Sequence, residues 1–192
     1  IGLIIPDVQN PFFPQLVRGI EDCAMENGYT VFLCNSDSDI EKEQKYLYTF
    51  LEKRVDGIIV NTCGELNDKR LNMAIRNSGT PVILLDRKTD YFKEYPGVYI
   101  DNRQAAFDGG CFLLKSGAKH VAFLGGQEFL YTTEERCRGY RMAHEHFGIT
   151  ENEDLISYGE YSMDSGYTRT IELMKKHPYT DAIFAGSDVI AL

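Results

Sequence analysis

The sequence predicts an α/β fold built on a doubly wound parallel sheet, and three features of the chain support this prediction. Short apolar or β-branched runs recur along the whole chain, as is typical of buried strands. Segments with apolar residues spaced three and four apart lie between most of these runs, as helices would. Glycine, proline and asparagine stand where those helices should begin or end. Such alternation is the pattern of parallel strands joined by crossover helices.

The strands and helices can be placed in chain order. The eight predicted strands lie at residues 3–6, 30–35, 56–62, 81–86, 98–101, 120–125, 155–159 and 181–187. The first helix has its apolar face at Leu16, Val17, Ile20 and Ala24. Asn10 is expected to cap it with Pro11 at its first position, while Gly28 and Gly148 are expected to close helices.

Three polar stretches do not fit the alternation. Residues 86–96 carry charges and aromatic rings without a period, which predicts a loop or irregular crossover. The acidic runs 37–43 and 151–154 lack the glycine and terminal glutamate of a calcium loop, so they are interpreted as solvated helix starts and loop. His144 and His146 face different ways on a predicted helix, which indicates exposed histidines rather than a metal site.

The composition restricts the class of protein. The 192 residues carry a net charge of −9, which repels nucleic acid, and no apolar run approaches the roughly 20 residues of a membrane span. Five cysteines without a CxxC pair predict free, buried thiols in a reducing cytoplasm. The chain opens directly on a strand-like run and stops inside a helix-like one, so we expect it to be part of a longer protein.

Polar and aromatic side chains follow the predicted strands, and ligands of this fold class bind beyond the carboxyl ends of the strands. The candidate binding residues are Asn10, Phe12, Phe13, Asp86, Arg87, Asp101, Arg136, Tyr161, Ser187 and Asp188. Carboxylates, amides and a guanidinium can bond hydroxyl groups, and aromatic rings can cover the C–H face of a sugar. The set therefore favours a polyhydroxylated ligand.

Several motifs in order resemble the effector-binding domain of LacI/GalR-family transcriptional repressors. They include IGLIIPDVQNPFF, PVILLDR, VYIDNRQAAFDGG, LKSGAKHVAFLGG and TDAIFAGSDVIAL. The resemblance implies a type I periplasmic-binding-protein-like fold, with an N-terminal lobe at residues 1–116 and a partial C-terminal lobe at residues 117–192. It also implies a sugar or nucleobase effector in the cleft, a homodimer, and a DNA-reading helix-turn-helix ahead of Ile1.

The resemblance also assigns roles to residues of the first lobe. Phe12 and Phe13 are expected to flank the effector beside Asn10, although the spacing of Phe13 also fits plain core packing. Asp86 and Arg87 resemble the pair that ribose-type binding proteins use on sugar hydroxyls. The alternative for this pair is a solvated ion pair in a loop.

Residues of the second lobe receive roles in the same way. Arg136 resembles the cleft arginine of the family, with a surface arginine beside Arg138 as the alternative. Tyr161 resembles the stacking aromatic residue, or is a half-buried loop tyrosine. Ser187 stands where the family often has asparagine.

Two acidic residues, Asp101 and Asp188, have two open interpretations. Each can bond the ligand, or it can cap the helix that starts behind it. The sequence does not choose between these roles.

The function predicted from these observations is sugar sensing, with a preference for ribose or a similar monosaccharide, in a cytoplasmic regulator that contacts operator DNA through a missing domain. GxSxG, GxxxxGK[ST] and complete GxGxxG motifs are absent from the sequence, so we predict neither an enzyme nor a cofactor. The alternative is a periplasmic sugar-binding protein of a transporter, which five unpaired cysteines oppose. The helix at residues 13–27 is the predicted dimer contact, through Gln15, Arg18 and Asp22.

Overall fold

The computed structural model of the protein describes residues 1–64 and 68–192, which form two compact units, Ile1–Ile100 and Asp101–Leu192. Each unit has its own parallel sheet. The α/β class and the parallel strands predicted from the sequence are confirmed.

The first unit is a five-stranded sheet with helices on both faces. Its strands are β1 (Gly2–Ile5), β2 (Phe32–Asn35), β3 (Ile58–Val60), β4 (Val82–Leu85) and β5 (Gly97–Val98). Its helices are α1 (Phe12–Glu26), α2 (Ile40–Glu52) and α3 (Lys69–Ser78). The strand order is β2-β1-β3-β4-β5, with every neighbouring pair parallel.

Strand β1 lies between β2 and β3 in this sheet and buries side chains on both faces, because successive residues of a strand point to opposite sides. Leu3 and Ile5 form a core cluster with Phe13 of α1. Ile4 lies in the other cluster, which includes Leu47 of α2 and Leu71 of α3. The fully apolar sequence of β1 follows from this two-sided burial.

The second unit repeats the same design on a smaller sheet. Its strands are β6 (Val121–Leu124), β7 (Ile156–Ser157) and β8 (Ala182–Ala185), and its helices are α4 (Asn102–Lys115), α5 (Tyr131–His146), α6 (Met163–Lys176) and α7 (Asp188–Ala191). The parallel order is β7-β6-β8. Val121 and Phe123 pack with α4 and α5, whereas Ala122 and Leu124 pack with α6 and α7.

Helix α4 belongs to the second unit, so the units divide earlier than the expected boundary between residues 116 and 117. Gly139 of α5 lies so close to α4 that an added Cβ atom would be 2.2 Å from the carbonyl oxygen of Arg103. Arg103 also donates two hydrogen bonds to the Glu135 carboxylate, at 3.0 and 2.9 Å. The sequence indicated that α4 and α5 are helices, but it did not indicate which of the two sheets each helix packs against.

The ends of two helices follow the capping signals. The Asn10 side-chain oxygen accepts a hydrogen bond from the backbone N–H of Phe12 at 3.1 Å, although the regular helix begins at Phe12. Gly28 and Gly148 follow α1 and α5 with φ angles of 78° and 65°. Glycine adopts this left-handed conformation without the clash that a Cβ atom causes.

The aperiodic stretch at 86–96 is an irregular crossover, as predicted. It contains one 3-10 turn, Asp90–Phe92, which Thr89 caps by accepting a bond from the Tyr91 N–H at 3.2 Å. Phe92 is fully buried in the core, with its ring edge-to-face against Tyr91 and Tyr95. The crossover therefore contributes to the core despite its lack of period.

The prediction of an exposed His144 is wrong, whereas His146 is exposed as expected. Only 3% of His144 is accessible, and its ring lies 4.3 Å from that of Tyr140. Its Nδ1 atom is 3.0 Å from the Tyr140 carbonyl oxygen. Thr133, Cys137, Tyr140 and His144 form one buried stripe on α5, and the polar members of this stripe hid its helical period.

We predict that Gly139→Ala lowers the free energy of unfolding by about 1–3 kcal/mol, since the new Cβ atom must separate α4 from α5. Gly19→Ala on α1 is the matched control, because a Cβ atom there meets nothing within 4 Å. That change should be neutral or stabilise by up to about 1 kcal/mol. Urea unfolding followed by circular dichroism measures both, and equal effects would contradict the close α4–α5 packing.

Candidate functional site

The first candidate residues lie at the turn between β1 and α1. Asn10 fixes this turn through its side-chain bond to the Phe12 N–H, and its carbonyl oxygen accepts the Phe13 N–H at 3.1 Å. Phe12 is 43% exposed, whereas Phe13 is 3% exposed and packs between α1 and the sheet. The core alternative thus describes the packing of Phe13, and Phe12 is the ring that remains accessible for a ligand. Ligand contact by either ring stays a prediction.

Asp86 and Arg87 follow β4 directly, at the carboxyl edge of the sheet. Both side chains are buried, with 8% and 7% exposed, which excludes the alternative of a solvated ion pair. Asp86 has a φ angle of 62°, a left-handed conformation that is uncommon for residues other than glycine. Its N–H donates to the Val98 carbonyl oxygen at 2.8 Å, so pairing with the end of β5 maintains this conformation.

Asn61 is a polar residue of this edge that sequence reasoning missed. It follows β3, is fully buried, and its Nδ2 atom lies 3.5 Å from one Asp86 oxygen. The amide oxygen of Asn61, Oδ1, and the second carboxylate oxygen of Asp86, Oδ1, are both buried without a hydrogen-bond donor from the described parts of the chain. Buried acceptors usually have a partner, so this pair can accept bonds from a ligand or from water.

The missed signal was the amide that ends an apolar run. The apolar run at 56–62 predicts a strand, and Asn61 lies within that run. A polar residue at the last position of a buried parallel strand lies at the ligand-binding edge.

Glu43 of α2 is a fully buried carboxylate at the same edge, so the interpretation of the run 37–43 as a solvated helix start is wrong for this residue. Its Oε1 accepts a bond from the Thr62 hydroxyl and its Oε2 from the Cys63 N–H, both at 2.8 Å. Arg87 donates from Nη1 to the Thr62 carbonyl oxygen at 3.2 Å. Glu43 therefore fixes the backbone segment to which Arg87 is bonded.

Burial changes the acidity of these groups. It raises the pKa of the Glu43 carboxyl, and the bonds from Cys63 and Thr62 and the charge of Arg87 oppose this rise only in part. Burial likewise raises the pKa of the Cys63 thiol, with the nearby Glu43 charge adding to the effect. Cys63 is thus a protonated, unreactive thiol near neutral pH.

In the second unit, Arg136 of α5 is tied to two other segments. Its Nε donates to the Asn102 side-chain oxygen at 2.8 Å, and its Nη1 donates to the Gly186 carbonyl oxygen at 2.5 Å. These bonds exclude the alternative of a free surface arginine. Asn102, buried at the start of α4, thereby orients the guanidinium, a role that sequence reasoning did not assign.

Tyr161 lies in the loop between β7 and α6, half-buried. Its hydroxyl is 2.8 Å from the Thr133 hydroxyl of α5. Its ring covers Gly126, where an added Cβ atom would lie 2.1 Å from a ring carbon. The tyrosine is therefore held in place, but whether it contacts a ligand stays a prediction.

The two aspartates with open roles differ. Asp101 caps α4, because its side chain accepts the Gln104 N–H at 2.9 Å. Asp188 is exposed at the first position of α7, and the cap of that helix is Ser187, which accepts the Ile190 N–H at 3.4 Å. The capping interpretation therefore holds for Asp101 and is wrong for Asp188.

The remaining chemistry of the chain is limited. All five cysteines are free, as predicted, and Cys63, Cys111 and Cys137 are buried. The prediction of burial is wrong for Cys23, which is exposed, and holds only in part for Cys34, which is half-buried. Across residues 1–64 and 68–192, histidine, cysteine and acidic side chains do not gather in a group of three or more that could hold a metal ion. In the same ranges, no helix combines the length and the apolar character needed to cross a membrane.

Comparison with known proteins gives consistent matches. A family model for periplasmic binding proteins and the sugar binding domain of the LacI family matches residues 1–192. The ribose operon repressor of Halalkalibacterium halodurans is 36% identical over 193 residues, which cover 100% of this chain and 55% of that protein. The chain thus spans about half the length of this curated relative.

Solved structures are similar over nearly the whole chain. The crystal structure of the transcription regulator CcpA of Lactococcus lactis has a TM-score of 0.86 at 34% identity, covering 99% of this chain and 68% of that one. A periplasmic binding protein/LacI transcriptional regulator from Alkaliphilus metalliredigens QYMF, complexed with D-xylulofuranose, has a TM-score of 0.81 at 28% identity with the same coverage.

We predict that Glu43→Gln changes how stability depends on pH. The pKa of Glu43 is higher in the folded than in the unfolded chain, so its stabilising contribution is complete below about pH 4 and is lost as the pH rises through the folded pKa. Glutamine stays neutral and can keep both bonds, accepting from Cys63 and donating to Thr62. The variant should therefore gain stability relative to the wild type as the pH rises.

Urea unfolding at intervals between about pH 4 and pH 8 measures this difference. Glu41→Gln, at an exposed position of the same helix, is the control and should follow the wild-type curve. Parallel curves for Glu43→Gln and the wild type would contradict a buried carboxylate with a raised pKa.

Proposed function

The chain belongs to the family of periplasmic binding proteins and LacI-type sugar-binding domains, as its motifs predicted, and from this premise we propose that it senses a sugar effector for a LacI-type transcriptional regulator. Within this proposal, the units Ile1–Ile100 and Asp101–Leu192 correspond to an N-terminal lobe and a partial C-terminal lobe. A catalytic role is not part of it, since the matched relatives are transcriptional regulators.

The observation that carries the sugar proposal is the pair of buried acceptor oxygens on Asn61 and Asp86. Sugar hydroxyls are donors of the right kind for both, and a hydroxyl can accept a bond from Arg87 at the same time. The exposed ring of Phe12 adds a flat apolar surface of the kind that covers the C–H face of a sugar. In the second unit, Arg136 and Tyr161 are the proposed effector contacts.

A pentose or similar monosaccharide is the narrower proposal. The ribose operon repressor is among the relatives with 36% identity, and the regulator from Alkaliphilus metalliredigens was solved with a five-carbon sugar.

The partners proposed for the whole protein are operator DNA and a second copy of the same protein. With 29 acidic and 20 basic residues, this chain repels phosphate groups, so DNA contact is assigned to a segment outside it. Exposed residues of α1, including Arg18 and Asp22 with 3.6 Å between their charged atoms, are proposed to face the second copy. The free thiols fit the proposed cytoplasmic location.

Calorimetric titration of the intact protein with a panel of monosaccharides tests the proposed function. We expect at least one pentose or hexose to bind, and Asp86→Asn to weaken that sugar about tenfold, because one acceptor oxygen becomes a donor. A protein that binds a purine base but no sugar in the panel would contradict the sugar assignment while leaving the regulator family intact.

We predict that Arg136 is the strongest single determinant of sugar affinity in this chain. Arg136→Ala should weaken binding about 30- to 1,000-fold, since charge-assisted hydrogen bonds contribute roughly 1.5–3 kcal/mol each. Arg138→Ala is the control, because Arg138 pairs with Glu134 and Glu135 on its own helix and should change affinity less than about threefold. A larger loss for Arg138 than for Arg136 would refute the assignment, provided that both variants melt as folded proteins.

A further inference from the structure

Arg169, in the middle of α6, places its guanidinium on the ends of two strands. Its Nη1 donates to the Gly125 carbonyl oxygen at 2.8 Å and to the Ser157 carbonyl oxygen at 3.0 Å. Its Nε donates to the Ser165 carbonyl oxygen of its own helix at 3.1 Å. One side chain therefore joins α6 to both β6 and β7.

The two carbonyl groups lie where the paired strands end. Strand β6 ends at Leu124 and β7 at Ser157. Beyond them two backbone bonds continue the pairing, from the Gly125 N–H to Ser157 at 2.8 Å and from the Gly159 N–H to Gly126 at 3.3 Å. After this point the chain separates into one loop that leads to α5 and another that carries Tyr161 to α6.

Both loops lie against the guanidinium or against each other. A Cβ atom on Gly159 would be 2.9 Å from Arg169 Nε, so the backbone of the second loop lies directly on the arginine. The Tyr161 ring in turn covers Gly126 of the first loop. Arg169 contacts Gly125 in the first loop and Gly159 in the second, and these contacts set the spacing between the loops. The same spacing sets the position of the Tyr161 ring.

Burial of the Arg169 guanidinium carries an unfavourable free energy of desolvation, which indicates that this side chain has a role beyond ordinary packing. Burial lowers the pKa of the Arg169 guanidinium, and among the described residues no charged partner opposes the change. Its Nη2 atom is buried without a hydrogen-bond partner from the described residues. A partly buried cation that is paired only with carbonyl groups is a poor choice for stability alone, because an apolar side chain would avoid its desolvation.

We propose that Arg169 is a positioning residue, which holds the loops after β6 and β7 at the spacing that places Tyr161 for effector binding. This inference deepens the proposed function and rests on it for the role of Tyr161. The alternative is that Arg169 only stabilises the second unit.

Hydrogen exchange of the intact protein without a ligand tests the positioning of the loops. In Arg169→Met, the Gly125 and Gly159 amides should exchange about tenfold faster or more, while amides within β6 keep their wild-type rates. Arg169→Lys can reach one carbonyl and should give an intermediate rate, and it replaces the methionine variant if that protein does not fold. Arg141→Met is the control, since Arg141 of α5 bonds Glu151 and Glu153 instead of these loops.

Affinity for D-ribose, or for the best monosaccharide of the panel, separates positioning from plain stability. Measured well below the melting temperature, Arg169→Met should weaken binding about tenfold, and this loss should disappear when Tyr161 is already replaced by alanine. Unchanged loop exchange, or unchanged affinity despite a lower melting temperature, would overturn the proposal. If the wild type binds no sugar, the proposed function fails, and the exchange rates alone then decide whether Arg169 positions the loops.

Discussion

Parallel pairing of short strands that are buried on both faces is the constraint on which this structure depends. A strand such as β1, apolar at every position, leaves no room for polar groups inside the sheet. Polar residues must therefore follow the strands, and in a parallel sheet the carboxyl ends all lie at one edge. Asn61 and Asp86 are distant in sequence and meet for this reason.

The polar groups at the carboxyl ends of the strands are buried together with the side chains that hold them in place. Glu43 bonds the segment after β3, Asn102 orients Arg136, and Arg169 joins the ends of β6 and β7. Each support replaces hydration that the group loses on folding. Among the described residues this replacement is incomplete at Asn61 Oδ1, Asp86 Oδ1 and Arg169 Nη2, which are buried without a hydrogen-bond partner. Incomplete pairing in the free protein leaves bonds available for a ligand, which a fully satisfied network would not offer.

Sequence patterns identified some of the polar residues near the strand ends but missed Asn61 and the side chains that hold these residues in place. Asp86 and Arg136 are predicted as binding residues because each occupies a recognisable motif. The structure shows that Asp86 is buried and that Arg136 is bonded to Asn102, and their contact with a ligand stays a prediction. Asn61 falls inside a predicted strand, and Glu43 falls inside an acidic run that is typical of a solvated helix start, so neither pattern marks its residue as part of the site. The burial of His144 was missed because burial depends on which helix packs against α5, a fact that no local pattern contains.

The sequence by itself determined the strands, their parallel class, the helix ends at Gly28 and Gly148, and the family. These properties follow from the periodic spacing of apolar side chains and from the backbone conformations that individual residues prefer, and both act over a few residues. The tertiary structure alone decided that α4 belongs to the second unit, that Glu43 is buried beside Thr62 and Cys63, and that Arg169 contacts two strand ends. These outcomes depend on contacts between residues far apart in the chain, and such contacts leave no periodic signal in the sequence.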